Sequence, residues 1–280
     1  MIAAELERSR LQALLQTRSY GRSLRVLELT DSTNDDAKRD ATAGAADGHV
    51  VLADAQRAGR GSHGRSWDSP PGMDLYLSIV ARPPLPLAAL PPLTLAVGLG
   101  VADAVERLVG PGTARLAVVK WPNDVWLSGR KCAGILVETS SAGASPLAVD
   151  TDAGRPAVVI GIGLNVNRVD WPEELRASAT SLRTEASSPQ PLDRGVALAE
   201  LLQAVEAWVE RLVTAGGDAI AAALQDRLAL RGERVRCGET IGVLQGVAPS
   251  GAIRIATAGG VRELLAGRLF PAHAPDDHER

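Results

Sequence analysis

Cysteine, histidine and surplus basic charge are all scarce in this 280-residue chain. The two cysteines, Cys132 and Cys237, have no CxxC partner. That excludes a disulfide framework or a cysteine zinc site and leaves reduced thiols as the expectation. The four histidines, His49, His63, His273 and His278, show no HExxH spacing and no evident carboxylate companion, so no metal site built from histidine is expected. Lysine and arginine total 30 against 33 acidic residues, a formal net charge of −3. A chain whose main partner is the nucleic-acid backbone needs a basic face instead, so DNA is not expected as a partner. No apolar run approaches the roughly 18 residues of a membrane span. The opening MIAAELERSRLQALL mixes charges into its apolar positions, unlike a signal peptide. A soluble, cytoplasmic chain is expected.

What the chain does have is apolar residues, 45% of the total, enough for one large domain or one domain with a small companion. Leu6, Leu11, Leu14 and Leu15 fall near helical spacing and predict a short helix over 2–18, too short for a helix-turn-helix domain. Strands are predicted at Val26–Leu29, Val50–Ala53 and Leu75–Val80, with a helix opening at Asp31-Ser32-Thr33-Asn34, where Asp31 or Ser32 is a good N-cap. Proline makes Arg82–Pro92 a loop. Leu93–Val109 then reads as an apolar helix whose small residues Ala96, Gly98, Gly100 and Ala102 allow close packing. Strands resume at Leu116–Lys120, Asp124–Leu127, Cys132–Thr139 and Ala157–Ile162, with Ser140–Pro156 as a mobile hairpin tip. Helices follow at Asp193–Val213 and Asp218–Leu228. From about Arg231, short β-like runs alternate with glycine turns, which suits a small antiparallel barrel. The expected division is therefore 1–230 and 231–280.

Gly59-Arg60-Gly61-Ser62-His63-Gly64 matches G-x-G-x-x-G after a strand, but the following Arg-Ser-Trp-Asp-Ser-Pro-Pro-Gly cannot begin the helix that a dinucleotide site requires. The glycines still let backbone amides approach a ligand closely, and Arg57, Arg60, His63 and Arg65 surround them with positive charge. Such a loop suits a bound phosphate or carboxylate; a surface turn is the simpler alternative.

Lys120-Trp121-Pro122-Asn123-Asp124 lies between two predicted strands, and Gly129-Arg130-Lys131-Cys132-Ala133-Gly134-Ile135-Leu136-Val137-Glu138 follows closely. With Asp31-Ser32-Thr33-Asn34, the Gln56-to-Trp67 segment and Gly161-Ile162-Gly163-Leu164-Asn165-Val166, these blocks resemble, in order over roughly 26–170, the family of biotin protein ligases. The resemblance implies an α+β fold. Its mixed, largely antiparallel sheet with packed helices would form a class II synthetase-like catalytic domain, followed by a small C-terminal SH3-like β-barrel. It implies biotin and ATP as substrates, Mg²⁺ with the ATP, and a biotin carboxyl carrier protein domain of a carboxylase as acceptor; a homodimer is left open.

By the same resemblance, Lys131, Asp124 and Arg60 are the catalytic candidates. Biotin falls to Ser32, Thr33, Asn34, Gln56, Arg60, Gly61, Ser62, Lys131 and Gly134, and the nucleotide to Gly59, Arg65, Trp67, Lys120, Asn123 and Asn165. Asn123 or Asp124 would meet the Mg²⁺. The chemistry fits: joining a carboxylate to a triphosphate needs fixed cations, which Lys131 and Arg60 supply, and a neutral ureido ring needs donors and acceptors in an otherwise apolar pocket. Asp124 is the candidate to take the proton of the acceptor lysine. Trp121 and Trp126 read as packing residues. The chain departs from the family pattern at Ser62, where many members carry arginine, and shows no N-terminal DNA-binding domain, so no repressor role is expected. A lipoate or octanoate ligase of the same fold type is the main alternative, and an inactive biotin-binding module a more distant one.

Overall fold

The structure is a computed structural model that describes residues 3–110, 117–139, 157–186 and 188–273. The expected hairpin tip at 140–156 lies outside the described residues. The N-terminal helix is shorter than its leucine spacing predicts: a turn at Ala4–Leu6 leads into α1, Arg8–Leu14. Strand β1 (Leu24–Thr30), helix α2 (Thr33–Thr42), strands β2 (His49–Gln56) and β3 (Leu75–Ala81) and helix α3 (Leu93–Val109) follow. Glycine ends α3, with Gly110 at φ +86°, a conformation that other residues adopt only at a cost. Next come β4 (Val118–Lys120), β5 (Asp124–Leu127), β6 (Arg130–Thr139) and β7 (Val158–Leu164), then short helices α4 (Glu173–Arg176) and α5 (Leu182–Glu185).

These seven strands form one sheet in the order β1-β2-β3-β7-β6-β5-β4; β1 and β2 run parallel and every other pair antiparallel. This is the expected mixed sheet. Its side chains alternate between two faces with period two. On β7, Val158, Ile160, Ile162 and Leu164 join the main core with α3, whereas Val159 packs with Ala37 and Ala41 of α2 on the other face. Helix α6 (Arg194–Ala223) covers α3. A Cβ on Gly100 would lie 2.7 Å from Val205 Cα, so the glycine sets how closely the two helices approach. The two helices predicted after residue 193 are one run broken at Gly216 (φ +71°) and ending at Ala223. Asp193 caps it by accepting the Val196 N–H at 3.0 Å.

The predicted barrel strands are present as β8 (Arg234–Cys237), β9 (Thr240–Val247), β10 (Ile253–Thr257) and β11 (Gly260–Leu264), with an unpredicted fifth strand, β12 (Leu269–Pro271). They form a small antiparallel sheet in the order β11-β10-β9-β8-β12. Its buried Val235, Leu244, Ile253, Ile255 and Leu269 continue the main core, and Trp121, a packing residue as expected, donates its indole N–H to Gly251 O at 3.0 Å. His49 does have a carboxylate companion: its ring bridges Ser23 Oγ (2.7 Å) and Asp40 Oδ2 (3.1 Å), tying β2 to α2. Sequence spacing could not show this, since Asp40 reaches His49 only once α2 has turned back on the sheet. Among the described residues no helix is long and apolar enough to cross a membrane.

Candidate active site

The α2 face of the sheet is hollowed where β7 carries glycine. Beyond Val159 the same face presents Gly161 and Gly163, and β6 places Gly134 opposite Gly163 and Leu136 opposite Gly161. The resulting cavity is about 340 Å³. Side chains from elsewhere fill the glycine positions. A Cβ on Gly163 would lie 2.3 Å from Trp67 Cε2, one on Gly134 2.7 Å from Trp67 Cζ3, and one on Gly161 2.1 Å from Asn34 Oδ1. Trp67 therefore lies against two cross-strand glycines, and Asn34 against a third.

Neutral polar side chains make up part of the cavity lining. Gln56 Oε1 accepts the Thr33 backbone N–H (2.9 Å) and hydroxyl (3.2 Å), and its amide donates to Ser69 Oγ at 2.9 Å. Ser78 Oγ lies 2.8 Å from Thr33 Oγ1 and 2.5 Å from Asn34 Oδ1. Asn34 donates to Glu138 Oε2 at 2.8 Å. Ser32 occupies the N-cap of α2 as expected, but its side chain makes no capping bond. The buried hydroxyl instead lines the cavity.

The charged centre lies on β5 and β6. Lys131 Nζ is 2.7 Å from Asp124 Oδ1 and 5.1 Å from the centre of the Trp67 ring. Asp124 pairs in register with Gly134, and an irregularity after Val125 brings Trp126 opposite Lys131. Lys131 is anchored from the other side, its N–H donating to Ser178 O (2.8 Å) and its carbonyl accepting from Thr180 N–H (2.9 Å). Asn123 braces β6 through Ile135, donating its amide to the Ile135 carbonyl at 2.9 Å. Asn165 donates to Thr180 O at 3.0 Å; both asparagines line the cavity.

The glycine-rich segment forms no helix: Ser62–Gly64 is a single turn with His63 at φ +57°, which removes the dinucleotide reading. Arg60 bridges to Ser66, Gly61 N–H donates to Arg65 O at 2.7 Å, and Trp67 N–H donates to Gly59 O at 2.8 Å. Gly61, Ser62 and Arg65 line the cavity; Gly59 does not. A Cβ on Gly59 would fall 2.4 Å from Trp67 O, so this glycine lets the two arms of the loop meet. Arg60 does not stand ready as a bare cation: it donates to Asp35 Oδ1 (2.6 Å) and Glu138 Oε2 (3.0 Å). Partial burial would raise the Glu138 carboxyl, but hydrogen bonds from Asn34 and Lys38 and the charge of Arg60 outweigh it and hold the group below the usual range.

Lys120 is the other displaced candidate. It leaves the cavity lining and lies 5.4 Å from the Trp126 ring and 5.3 Å from that of Phe270 in the small sheet. Burial lowers its pKa, as do the cations of Lys131, Arg65 and Arg268, against the opposing pull of Asp124. Trp126, expected to be packing only, lines the cavity, as do the unpredicted Arg168, Trp171, Leu175, Ser178 and Ala179. Among the described residues no cluster of three or more His, Cys, Asp or Glu could hold a metal on its own. Magnesium is commonly held by one or two carboxylates plus substrate phosphates, and Asp124 and Asp68 are the carboxylates that line this cavity.

The chain belongs to the biotin/lipoate A/B protein ligase family, whose profile matches residues 26–149. It is 38% identical over 232 residues to the biotin–[acetyl-CoA-carboxylase] ligase of Mycobacterium tuberculosis, covering 82% of this chain and 80% of that one. It is 34% identical to the bifunctional ligase/repressor BirA of Bacillus subtilis, covering 76% of this chain but only 61% of that protein. Among solved structures, the biotin protein ligase of Aquifex aeolicus in complex with biotin and ATP superposes with a TM-score of 0.73 at 29% identity, covering 89% of this chain and 98% of that one.

Proposed function

We propose that this chain activates biotin with ATP to give biotinyl-5′-AMP and passes the biotin to a lysine of a biotin carboxyl carrier domain of a carboxylase. The observation that carries the proposal is the Lys131–Asp124 ion pair on the lining of the same cavity as Ser32, Thr33, Asn34, Gln56 and Asn165. In this reading the ureido ring lies against Ser32, Thr33, Asn34 and Gln56, whose neutral donors and acceptors suit it. Gly134 leaves room for the bicycle, and Trp67, expected at the nucleotide, covers the bicycle instead in this reading, because it lies against Gly134 and Gly163. The biotin carboxylate then reaches Lys131.

A carboxylate oxygen attacks the α-phosphorus of ATP and pyrophosphate leaves. Lys131 neutralises the charge that the two anions bring together, which a preorganised cation does best in a site shielded from water. Arg65 of the loop borders the phosphates, with Arg60 exchanging its acidic partners for them and Gly61 and Ser62 reaching biotin as expected, and Asn123, Asn165 and Trp126 border the nucleoside. Asp124 or Asn123, both on the cavity lining, would hold the Mg²⁺ that accompanies ATP, which would supply shielding of the phosphate charge. In the second half-reaction the acceptor amine must be neutral to attack the acyl carbon as AMP departs. Asp124 takes its proton. Residues 231–273 form the small companion domain, seated behind Trp121. A lipoyl or octanoyl chain carries no ureido group to exchange hydrogen bonds with the Ser32, Thr33, Asn34 and Gln56 set, so these side chains would give it no specific contact.

The test is a mass spectrum of a candidate carrier domain incubated with the protein, Mg·ATP and biotin. The expected result is one added biotinyl group on a single lysine, dependent on ATP. An unmodified carrier beside an active control ligase would refute the proposal.

A further inference from the structure

Arg168 follows Asn165-Val166-Asn167 at the exit of β7, and no motif singles it out. Its side chain is almost entirely buried, yet it is charged and lines the cavity. Burying an arginine requires partners for its fork of donors, and those found here come from two separate segments. Nη1 donates to Asp68 Oδ2 at 2.9 Å and Nη2 to the Asp68 carbonyl at 3.4 Å. Nε lies 3.3 Å from Asp74 Oδ2, an ion pair without hydrogen-bond geometry. The guanidinium also stacks 4.8 Å from the centre of the Trp171 ring. Asp74 is itself fixed, accepting the Val166 N–H at 2.8 Å. Asp68 adjoins Trp67, the residue that lies on Gly134 and Gly163.

We infer that Arg168 is a positioning residue that clamps the end of the glycine-rich loop, and with it Trp67, while holding Trp171 as the facing wall. The inference rests on the proposed ligase reading only for its kinetic consequence. The clamp acts on both substrates, because Trp67 stands beside Lys131, where the biotin carboxylate and the α-phosphate meet. Lysine cannot replace it: one ammonium cannot span Asp68 and Asp74 and stack on an indole as a planar fork does.

Two variants test this. Asp68→Asn alters a side chain that is half exposed, so folding is not at stake, and Arg168→Lys keeps the buried charge. Hydrogen exchange on the free protein reads the clamp without any catalysis. The Gly61 and Trp67 amides, both bonded within the loop, should exchange about tenfold faster in each variant, the equivalent of one charge-assisted hydrogen bond. KM for biotin and for Mg·ATP should rise about tenfold with kcat within a factor of two, and the double variant should be no worse than Arg168→Lys alone. Unchanged amide exchange in Asp68→Asn overturns the inference whatever the activity does. Faster exchange with both KM values unchanged, or additive losses in the double variant, overturns it as well. Absence of biotin-dependent turnover in the wild type would instead refute the ligase reading and leave the exchange result to judge the clamp.

Discussion

The Lys131 ammonium and the Asp124 carboxylate face each other at 2.7 Å across the β5–β6 hairpin, with Asp124 buried and Lys131 reaching the cavity. Each group thereby serves the other. In the ligase reading proposed above, Asp124 would hold the lysine where an incoming carboxylate and phosphate would meet, and once those anions engaged Lys131 the carboxylate would be released to accept a proton.

That exchange of partners predicts unequal damage from Asp124→Asn. Transfer to the carrier should fall by about 10²–10³, the loss of a positioned base. Adenylate formation should fall by a smaller factor, since Lys131 remains. Single-turnover measurement of the two half-reactions decides it; equal losses would assign Asp124 to metal or nucleotide instead.

Gly163→Ala tests the role of Trp67. The new Cβ would lie 2.3 Å from the indole, so the ring must leave its seat, while β7 keeps its extended backbone. The expected outcome is a rise in the dissociation constant for biotin of about tenfold, the scale of one lost aromatic contact, with a changed tryptophan emission spectrum and little change in Tm. Wild-type affinity would remove Trp67 from the binding surface.

Ser62 stands where many family members carry arginine, and here Arg65 bends back toward it, its Nη2 3.5 Å from Ser62 Oγ. A charge-assisted contact is roughly twice as strong as a neutral one, so Ser62→Arg should slow dissociation of biotinyl-5′-AMP. Stopped-flow release from the two proteins measures it. Equal rates would mean that Arg65 already supplies the charge.

The lowered pKa of Glu138 gives a pH dependence with a definite sign. A carboxylate whose folded pKa lies below its ordinary value of 4.5 stabilises the fold fully above that value and loses the contribution as pH falls through the folded one. The urea midpoint of the wild type should therefore exceed that of Glu138→Gln at neutral pH, and the gap should narrow below about pH 4.5. A constant gap would show that the Arg60, Lys38 and Asn34 contacts owe nothing to the charge of Glu138.

Much of the cavity lining was legible because it is local in sequence: Lys131 and Asp124 belong to adjoining strands, and Ser32, Thr33 and Asn34 to one helix start. What the chain order conceals is pairing at a distance. Arg168 meets Asp68 from 100 residues away, and nothing beside either residue signals the other. Gly59 and Lys120 do not line the cavity although their motif neighbours do. In the fold, α3 ran its predicted length because proline and glycine bound it, whereas β12 was missed because three residues ending in proline carry no period.

The central claim is that the neutral polar side chains of the cavity recognise biotin and that Lys131 activates it. Pyrophosphate exchange with Mg·ATP, run in parallel with biotin, lipoate and octanoate, tests this most directly. Biotin alone should support exchange, and Lys131→Ala should lower it by about 10²–10³, as for loss of one preorganised charge-stabilising group. Exchange supported by lipoate or octanoate but not by biotin, or undiminished in Lys131→Ala, would contradict the account.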